Sequence, residues 1–447
     1  MRHTGVAIFV LALIMAGCLF AWSAPERVDR KPDGYIARLL DIAASDDGTP
    51  HVVWSECPSG TYHEKVMYAR KLQDTWSIPE NISRDSGDIR VPAIIIDSRG
   101  APFVVWWEEG SGWFKYVRLI GDTWSVPKLT FVQAAAIPRL AMDSHGRIHV
   151  LFDGSGGIWH SSYVSEADSW TTPDRVAAGE LSWQDIAVDR LGHLHAVWMD
   201  YSTNGIGYSF YDGTRWAARE QLPDPSSTGQ SCDPRIAADA NCIPHVVWQE
   251  REGGYILYYI QRAGDTWTTP YKLLGQSGGY QNIAVDETDR LHVVWGWSYG
   301  VRYVTRTSAG WSCPASVVDS VVAPVPELAL SASRLHVAWR QNWGIYYGEE
   351  YLPGFRPAVT SGCFSGPLRA FRTTSGYRLD FGIASADFAS LVLANSAGRV
   401  VRNVQLGYFG RGRYGYELTL DSVPSGIYFC TIRAGSESST AKLVVCR

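Results

Sequence analysis

One segment recurs seven times along the chain. It reads Ile42-Ala-Ala-Ser45 to His51-Val-Val-Trp54, Ile94-Ile-Ile-Asp97 to Phe103-Val-Val-Trp106, Leu140-Ala-Met-Asp143 to His149-Val-Leu-Phe152, and Ile186-Ala-Val-Asp189 to His195-Ala-Val-Trp198. Ile236-Ala-Ala-Asp239 to His245-Val-Val-Trp248, Ile283-Ala-Val-Asp286 to His292-Val-Val-Trp295 and Leu328-Ala-Leu-Ser331 to His336-Val-Ala-Trp339 complete the set. Each copy is a short apolar run, a turn centred on Asp-x-x-Gly at its clearest, and a second apolar run, which predicts a tight hairpin. An aromatic run follows most hairpins, such as Lys65-Val-Met-Tyr68 or Ile256-Leu-Tyr-Tyr259, and then a Trp-Ser/Thr-x-Pro unit, as at Trp76, Trp124, Trp170, Trp267 and Trp311, with Trp216 a degenerate copy. These read as third and fourth strands.

Self-similarity at this period belongs to propellers or solenoids. Six fourth strands follow seven hairpins, and the missing copy stands before the first: Trp22-Ser-Ala-Pro25-Glu-Arg-Val28 matches Trp76-Ser-Ile-Pro79-Glu-Asn-Ile82. The expected architecture is all-β: a seven-bladed β-propeller closed by an N-terminal strand, followed by a small Ig-like β-sandwich. An open superhelical solenoid leaves the stray first motif without a role. Closure also removes exposed sheet edges.

Composition narrows the function classes. Of 447 residues 19% are charged and 13% aromatic, and 40 Lys plus Arg face 45 Asp plus Glu with no basic run, so the footprint of a nucleic-acid binder is missing. Met1-Arg2-His3 and the apolar run Val6–Met15 have the layout of a secretory signal peptide. Cleavage is expected by Ala21, with Met15-Ala16-Gly17-Cys18 a loose lipoprotein-box alternative. No second apolar run of spanning length occurs, so the mature chain is expected to lack a transmembrane segment. The eight Cys show no metal-knuckle or redox spacing, leaving Cys232/Cys242 and Cys430/Cys446 as possible bridges or isolated thiols. No nucleophile elbow, phosphate loop or zincin motif is present, and no metal or cofactor is expected.

Residues repeated in every blade are framework. The six His at the second-strand starts are expected to lie on the order of 10 Å apart, too far to share a metal. The five turn Asp are expected to bond backbone amides. Function is sought where blades differ, at the exits of the second strands. Candidate ligand-binding residues there are Glu56, Trp107, Glu108, Asp153, Asp200, Tyr201, Glu250, Trp297 and Arg340, with Trp113, Trp183, Tyr255, Tyr299 and Trp343 near in sequence. Aromatic faces beside hydrogen-bonding carboxylates suit carbohydrate. Glu108 and Asp200 are a glycosidase pair only at the separation such carboxylates require.

The hairpin pattern, with Asp74-Thr-Trp76, Asp122-Thr-Trp124 and Asp265-Thr-Trp267 preserving the tail of an Asp-box, resembles the Asp-box (BNR-type) propellers of the sialidase-like superfamily. That resemblance implies an arginine triad, a Tyr/Glu nucleophile pair and an Asp acid/base. Arg90-Val91-Pro92 looks like the first element, but Pro138, Pro234 and Pro326 occupy the same repeat position, leaving Arg90 alone unexplained. No catalytic residue is assigned.

The repeat stops at residue 350; 351–368 reads as a linker and 369–447 as a sandwich of short alternating runs. Asn395-Ser-Ala-Gly398-Arg399-Val-Val401, Pro424-Ser425-Gly426-Ile-Tyr428-Phe429 and Thr440-Ala-Lys442-Leu-Val444 resemble the C-terminal sorting domain of the type IX secretion system. The resemblance implies a sorting signal carried by Gly398, Arg399, Ser425, Gly426, Tyr428 and Lys442, with the secretion machinery as partner. An ordinary Ig-like accessory domain is the alternative. The sequence therefore predicts a secreted or surface-attached monomer, with residues 22–350 binding glycan or surface protein. A glycoside hydrolase and a structural or adhesive surface protein are the other readings.

Overall fold

The computed structural model describes residues 22–30, 34–72, 75–84, 89–109, 111–133, 137–225, 229–277, 279–297, 299–308, 310–322, 324–352, 368–372, 376–383, 387–395, 399–409, 412–420, 423–434 and 437–445. The chain divides after Leu352 into two compact units. Every regular element among the described residues is a strand.

The first unit holds seven antiparallel sheets of four or five strands, arranged as propeller-like blades. In the first sheet Tyr35–Ala44 is innermost, followed by Pro50–Pro58, Lys65–Leu72 and the outer pair Glu80–Asn81. The same order recurs in the next five. In the seventh, Val325–Leu330, Arg334–Gln341 and Gly344–Tyr351 are completed by Glu26–Arg27 from the other end of the unit, with Glu26 opposite Tyr347. Each inner strand lies against that of the following sheet, and Val325–Leu330 lies against Tyr35–Ala44.

The fourth-strand motif is split, a detail the sequence reading merged. Thr75–Trp76 pairs with the end of the third strand, and the outer strand proper begins after Pro79. The Ser explains the step: its N–H donates to Arg70 O at 2.8 Å and its hydroxyl accepts from Arg70 N at 3.1 Å, after which Pro79 has no N–H to continue the ladder. Equivalent backbone bonds form at Ser125, Thr171, Ala217, Thr268, Ser312 and, across the unit, Ser23 with Glu349. The tryptophans of these motifs join neighbouring sheets. Trp124 packs on Tyr68, Trp170 on Tyr116, Trp216 on His160, Trp267 on Tyr208, Trp311 on Tyr259, Trp22 on Tyr303 and Trp76 on Tyr347, with ring centroids 4.8 to 6.0 Å apart. Aromatic pairs at such separations add about 0.5–1.5 kcal/mol each beyond their area burial.

The second unit has two antiparallel sheets. One is Arg369–Arg372, Gly376–Ile383 and Gly412–Thr419; the other runs Val400–Phe409, Asp387–Asn395, Gly426–Ala434 and Glu437–Val445. Leu379, Phe381, Leu391, Leu393, Leu418, Cys430, Ile432 and Leu443 from both sheets form one core. Tyr377 links them, its hydroxyl donating to Val444 O at 2.7 Å.

Candidate functional site

Each sheet of the first unit has a turn end, where its inner and second strands meet, and a loop end, where its second and third strands meet. The turn end is framework. Asp97 Oδ1 accepts from the amides of Arg99 and Ala101 at 2.9 Å, and Asp143, Asp189, Asp239 and Asp286 make the same turn. The second-strand histidines bond outward to tyrosines: Nδ1 of His51, His195, His245, His292 and His336 lies 2.7 or 2.8 Å from the hydroxyls of Tyr68, Tyr208, Tyr259, Tyr303 and Tyr347. His149 meets His160 at 3.0 Å. Burial lowers the pKa of His51 and His336 to about 4 and of His160 to about 3, so these rings are neutral hydrogen-bonding posts. A cleft of about 540 Å³ at this end lies between the fifth and sixth sheets, but its Asp239, His245 and Arg290 belong to the repeated turns.

The inner strands bring together a constellation that is not apparent in the sequence. The residue just before the Ile/Leu that opens each repeat is Asp41, Ala93, Arg139, Asp185, Arg235, Asn282 or Glu327 in turn. Arg139 and Arg235, from the third and fifth sheets, each come within 3.7 Å of Glu327 in the seventh, and Asn282 donates to the same carboxylate. Asp41 accepts from Ile94 N at 2.9 Å and Asp185 from Ile236 N at 3.0 Å, so two of the carboxylates also tie one inner strand to the next. Burial, with the Glu327 charge adding to it, raises Asp41 to about 7. Burial also raises Asp185 and Asp233. Along the sequence the column reads as variation, and it becomes a cluster only where the inner strands converge.

The inner strand breaks register just before this ring in the first, second, fourth, fifth and sixth sheets. Val91, Trp183, Asp233 and Tyr280 adopt left-handed φ of 46 to 55° at those steps. Such bulges redirect side chains.

At the loop end the predicted residues part company. Four carboxylates expected on the rim are buried, which corrects that expectation. Glu56 accepts from Trp54 Nε1 at 3.2 Å. Asp153 accepts from Ile137 N at 3.1 Å. Asp200 holds Ser202 and pairs with Arg219 at 2.7 Å. Glu250 accepts from the Ser231 hydroxyl at 2.6 Å. Strand alternation turns these side chains inward where a polar partner meets each, a direction that position after a strand does not encode. Glu108 is partly exposed but paired with Lys115 at 2.7 Å, which together with Ser111 holds its carboxyl below the usual range against the cost of burial. Glu108 and Asp200 thus each have their own cation on separate sheets. Trp107 is half-buried in the core between the second and third sheets. Arg90 pairs with Glu109 at 2.8 Å, its place at the loop end.

Large aromatic side chains are exposed here. Tyr62, Tyr201, Tyr280, Trp297, Tyr299 and Trp343 are exposed, and all but Tyr201 belong to the sixth, seventh and first sheets. Arginines cover several of them: Arg302 lies 4.9 Å from the Trp297 ring centroid, Arg340 5.4 Å from Trp343 and Arg38 5.5 Å from Tyr62. Trp113, Trp183 and Tyr255 are half-buried.

Among the sorting candidates, Arg399 is exposed beside a tight turn, its N–H donating to Asn395 Oδ1 at 3.0 Å. Ser425 and Gly426 are exposed where the strand Gly426–Ala434 begins, and Lys442 is exposed opposite Phe429. Tyr428 is buried and donates to Pro424 O at 3.0 Å. Gly398 lies outside the described residues, as do the signal segment with Cys18, residues 353–367 and Cys446. Cys232 and Cys242 are separate thiols, so that bridge is not formed, and Cys430 is a buried thiol whose pKa burial pushes up to about 12.

Residues 378–446 match the family model described as the secretion system C-terminal sorting domain. The chain is accordingly an extracellular or cell-surface protein, exported through its C-terminal domain. No helix among the described residues is long and apolar enough to cross a membrane. No curated protein matches the sequence. Similar solved structures include virginiamycin B lyase from Staphylococcus aureus, at 13% identity and TM-score 0.51 over 74% of this chain and 100% of that one. A polysaccharide lyase of family PL25, an ulvan lyase, aligns at 10% identity and TM-score 0.51 over 72% and 95%. A protein of unknown function from Dyadobacter fermentans aligns at 10% and 0.50 over 73% and 98%. At these identities the likeness is one of fold.

Proposed function

We propose that residues 22–350 form a closed seven-bladed propeller of Asp-box type, delivered by a signal peptide (1–21) and, beyond the linker 351–368, by the sorting domain 369–447. We further propose that it binds glycan through its loop end. Seven interlocking tryptophans and the Glu26–Arg27 strand support closure. The observation that carries the binding reading is the gathering of Tyr62, Tyr280, Trp297, Tyr299 and Trp343 in solvent on three consecutive sheets, with arginines stacked on three of the rings. Exposed apolar surface framed by polar groups marks an interaction site, and flat rings flanked by donors suit sugar faces and hydroxyls. Glu108 and Asp200 are each ion-paired, with Lys115 and Arg219, and so do not form a free carboxylate pair for a hydrolase.

The test is a glycan array probed with the exported full chain and with a Trp297→Ala/Trp343→Ala double variant. The reading expects retention on defined sugars without their cleavage, reduced at least about tenfold in the variant, each tenfold being 1.4 kcal/mol. A wild-type protein that no sugar retains, or a variant retained equally well, overturns it. Loss of the arrayed glycan promotes the hydrolase reading instead.

A further inference from the structure

We propose that the hairpin tip of the seventh sheet forms a subsite for an acidic sugar, with Trp343 covering the ring and Arg340 taking its carboxylate or sulfate. This rests on the glycan-binding reading above and assigns the ligand's chemical class.

The tip is a two-residue turn in which Asn342 and Trp343 both have left-handed φ, 48° and 63°. A hairpin turn of that type favours Asn-Gly, because a bulky side chain is strained in the second position. Here an indole occupies the glycine's place and is 52% exposed, so burial does not offset the strain. The turn is also fixed: Ala37 N, from the first sheet, donates to Trp343 O at 2.8 Å. Strain retained at an exposed, well-held aromatic is a mark of function rather than of packing.

Arg340 supplies the charge. It is half-buried beside the indole and makes no ion pair among the described residues. Its neighbours differ in this respect: Arg38 faces Glu64 at 3.3 Å, Arg302 pairs with Asp319 at 2.7 Å and Arg90 with Glu109 at 2.8 Å. Burial disfavours the charged Arg340, and the Arg38 guanidinium adds repulsion, outweighing the help from Tyr280. A guanidinium fork without an acceptor is a ready partner for a two-oxygen anion. Tyr280 and Tyr62 offer exposed rings on the adjoining sheets for neighbouring sugar units. The whole chain carries a net charge of -5, so attraction of a polyanion has to be local.

The experiment measures binding of the exported full chain to three immobilised polymers: polygalacturonate, dextran sulfate and dextran. The proposal expects at least one acidic polymer to bind about tenfold or more tighter than dextran, and the two acidic arms name the anion. Arg340→Gln should lose about tenfold on that polymer, a larger loss than any it shows on dextran. Trp343→Gly should weaken binding with an unchanged or raised melting temperature, because glycine relieves the turn, which separates lost contact from lost folding. Equal wild-type affinity for dextran and both acidic polymers overturns the proposal, as does wild-type affinity in Arg340→Gln. Retention of neutral glycans alone defeats this inference and leaves the glycan-binding reading standing. Retention of no glycan defeats both.

Discussion

The turn end and the loop end of the seven sheets are built from the same strands, yet they obey opposite rules. At the turn end His51, His195, His245, His292 and His336 meet the same tyrosine partner in sheet after sheet. At the loop end the corresponding exits hold Glu56, Glu108, Asp200, Glu250, Trp297 and Gln341, each with a different environment. A group present in five equivalent places does work needed five times, which is packing and hydrogen-bond satisfaction. A group present once, exposed and strained, such as Trp343, does work needed once.

The largest expected effect comes from removing a single copy of the most repeated feature. Deleting residues 22–28 takes away Trp22 and the outer strand of the seventh sheet, leaving the edge of Gly344–Tyr351 open. Losing a fully buried Trp costs about 3–5 kcal/mol; half-buried Trp22 contributes less than that, but the buried Val28 goes with it and the open edge adds to the cost. With typical stabilities of about 5–15 kcal/mol, soluble folded protein should largely disappear from a size-exclusion profile. A deletion that stays folded and monomeric would break the claim that repetition means structure.

A smaller loss is expected from His292→Ala. It removes one buried partner each from the Tyr303 hydroxyl and the Asp286 carboxylate, at a cost of roughly 1–3 kcal/mol. Thermal denaturation should show it, while Trp297→Ala at the loop end should shift stability by no more than about 0.5 kcal/mol. Equal shifts in the two variants would erase the contrast.

The third effect is on pH dependence. Asp41 is raised in the folded state, so its neutral form is the favoured one. Its stability contribution is complete below the ordinary aspartate pKa and is lost as pH rises through about 7. His51 and His336 are depressed to about 4, and theirs is present above the ordinary histidine pKa and lost as pH falls from about 6.5 towards 4. Melting temperature should therefore decline on both sides of a mildly acidic maximum. Glu327→Gln removes the charge that helps raise Asp41, so its decline between pH 6 and 8 should be shallower than in the wild type. An identical slope would separate Asp41 from the inner-strand ring.

The same contrast explains what could be read from sequence. Hairpins, turn aspartates, histidines and the strand after Trp22 were legible because seven copies make their roles comparable. The inner-strand ring was hidden because its column changes residue from Asp41 to Arg139 to Glu327, which resembles variation until the copies converge in space. From sequence Asp200 and Glu250 read as accessible because the exit of a strand is usually wet. Only the positions of Arg219, Ser202 and Ser231 turn them inward. Arg340 and Trp343 are recognisable as loop-end residues, but the lack of an ion pair among the described residues and the left-handed turn are properties of the folded chain.

The Ser23–Glu349 contact joins groups 326 positions apart. The strand synthesised first finds its partner only when the last sheet has been made. A copy cut short before Gly344, by stalled translation or by a protease, keeps Glu26–Arg27 with no strand to pair against and lacks part or all of a sheet at its far end. Such fragments expose two sheet edges at once, so pairing between the two ends of the unit makes its edge protection depend on delivery of every sheet.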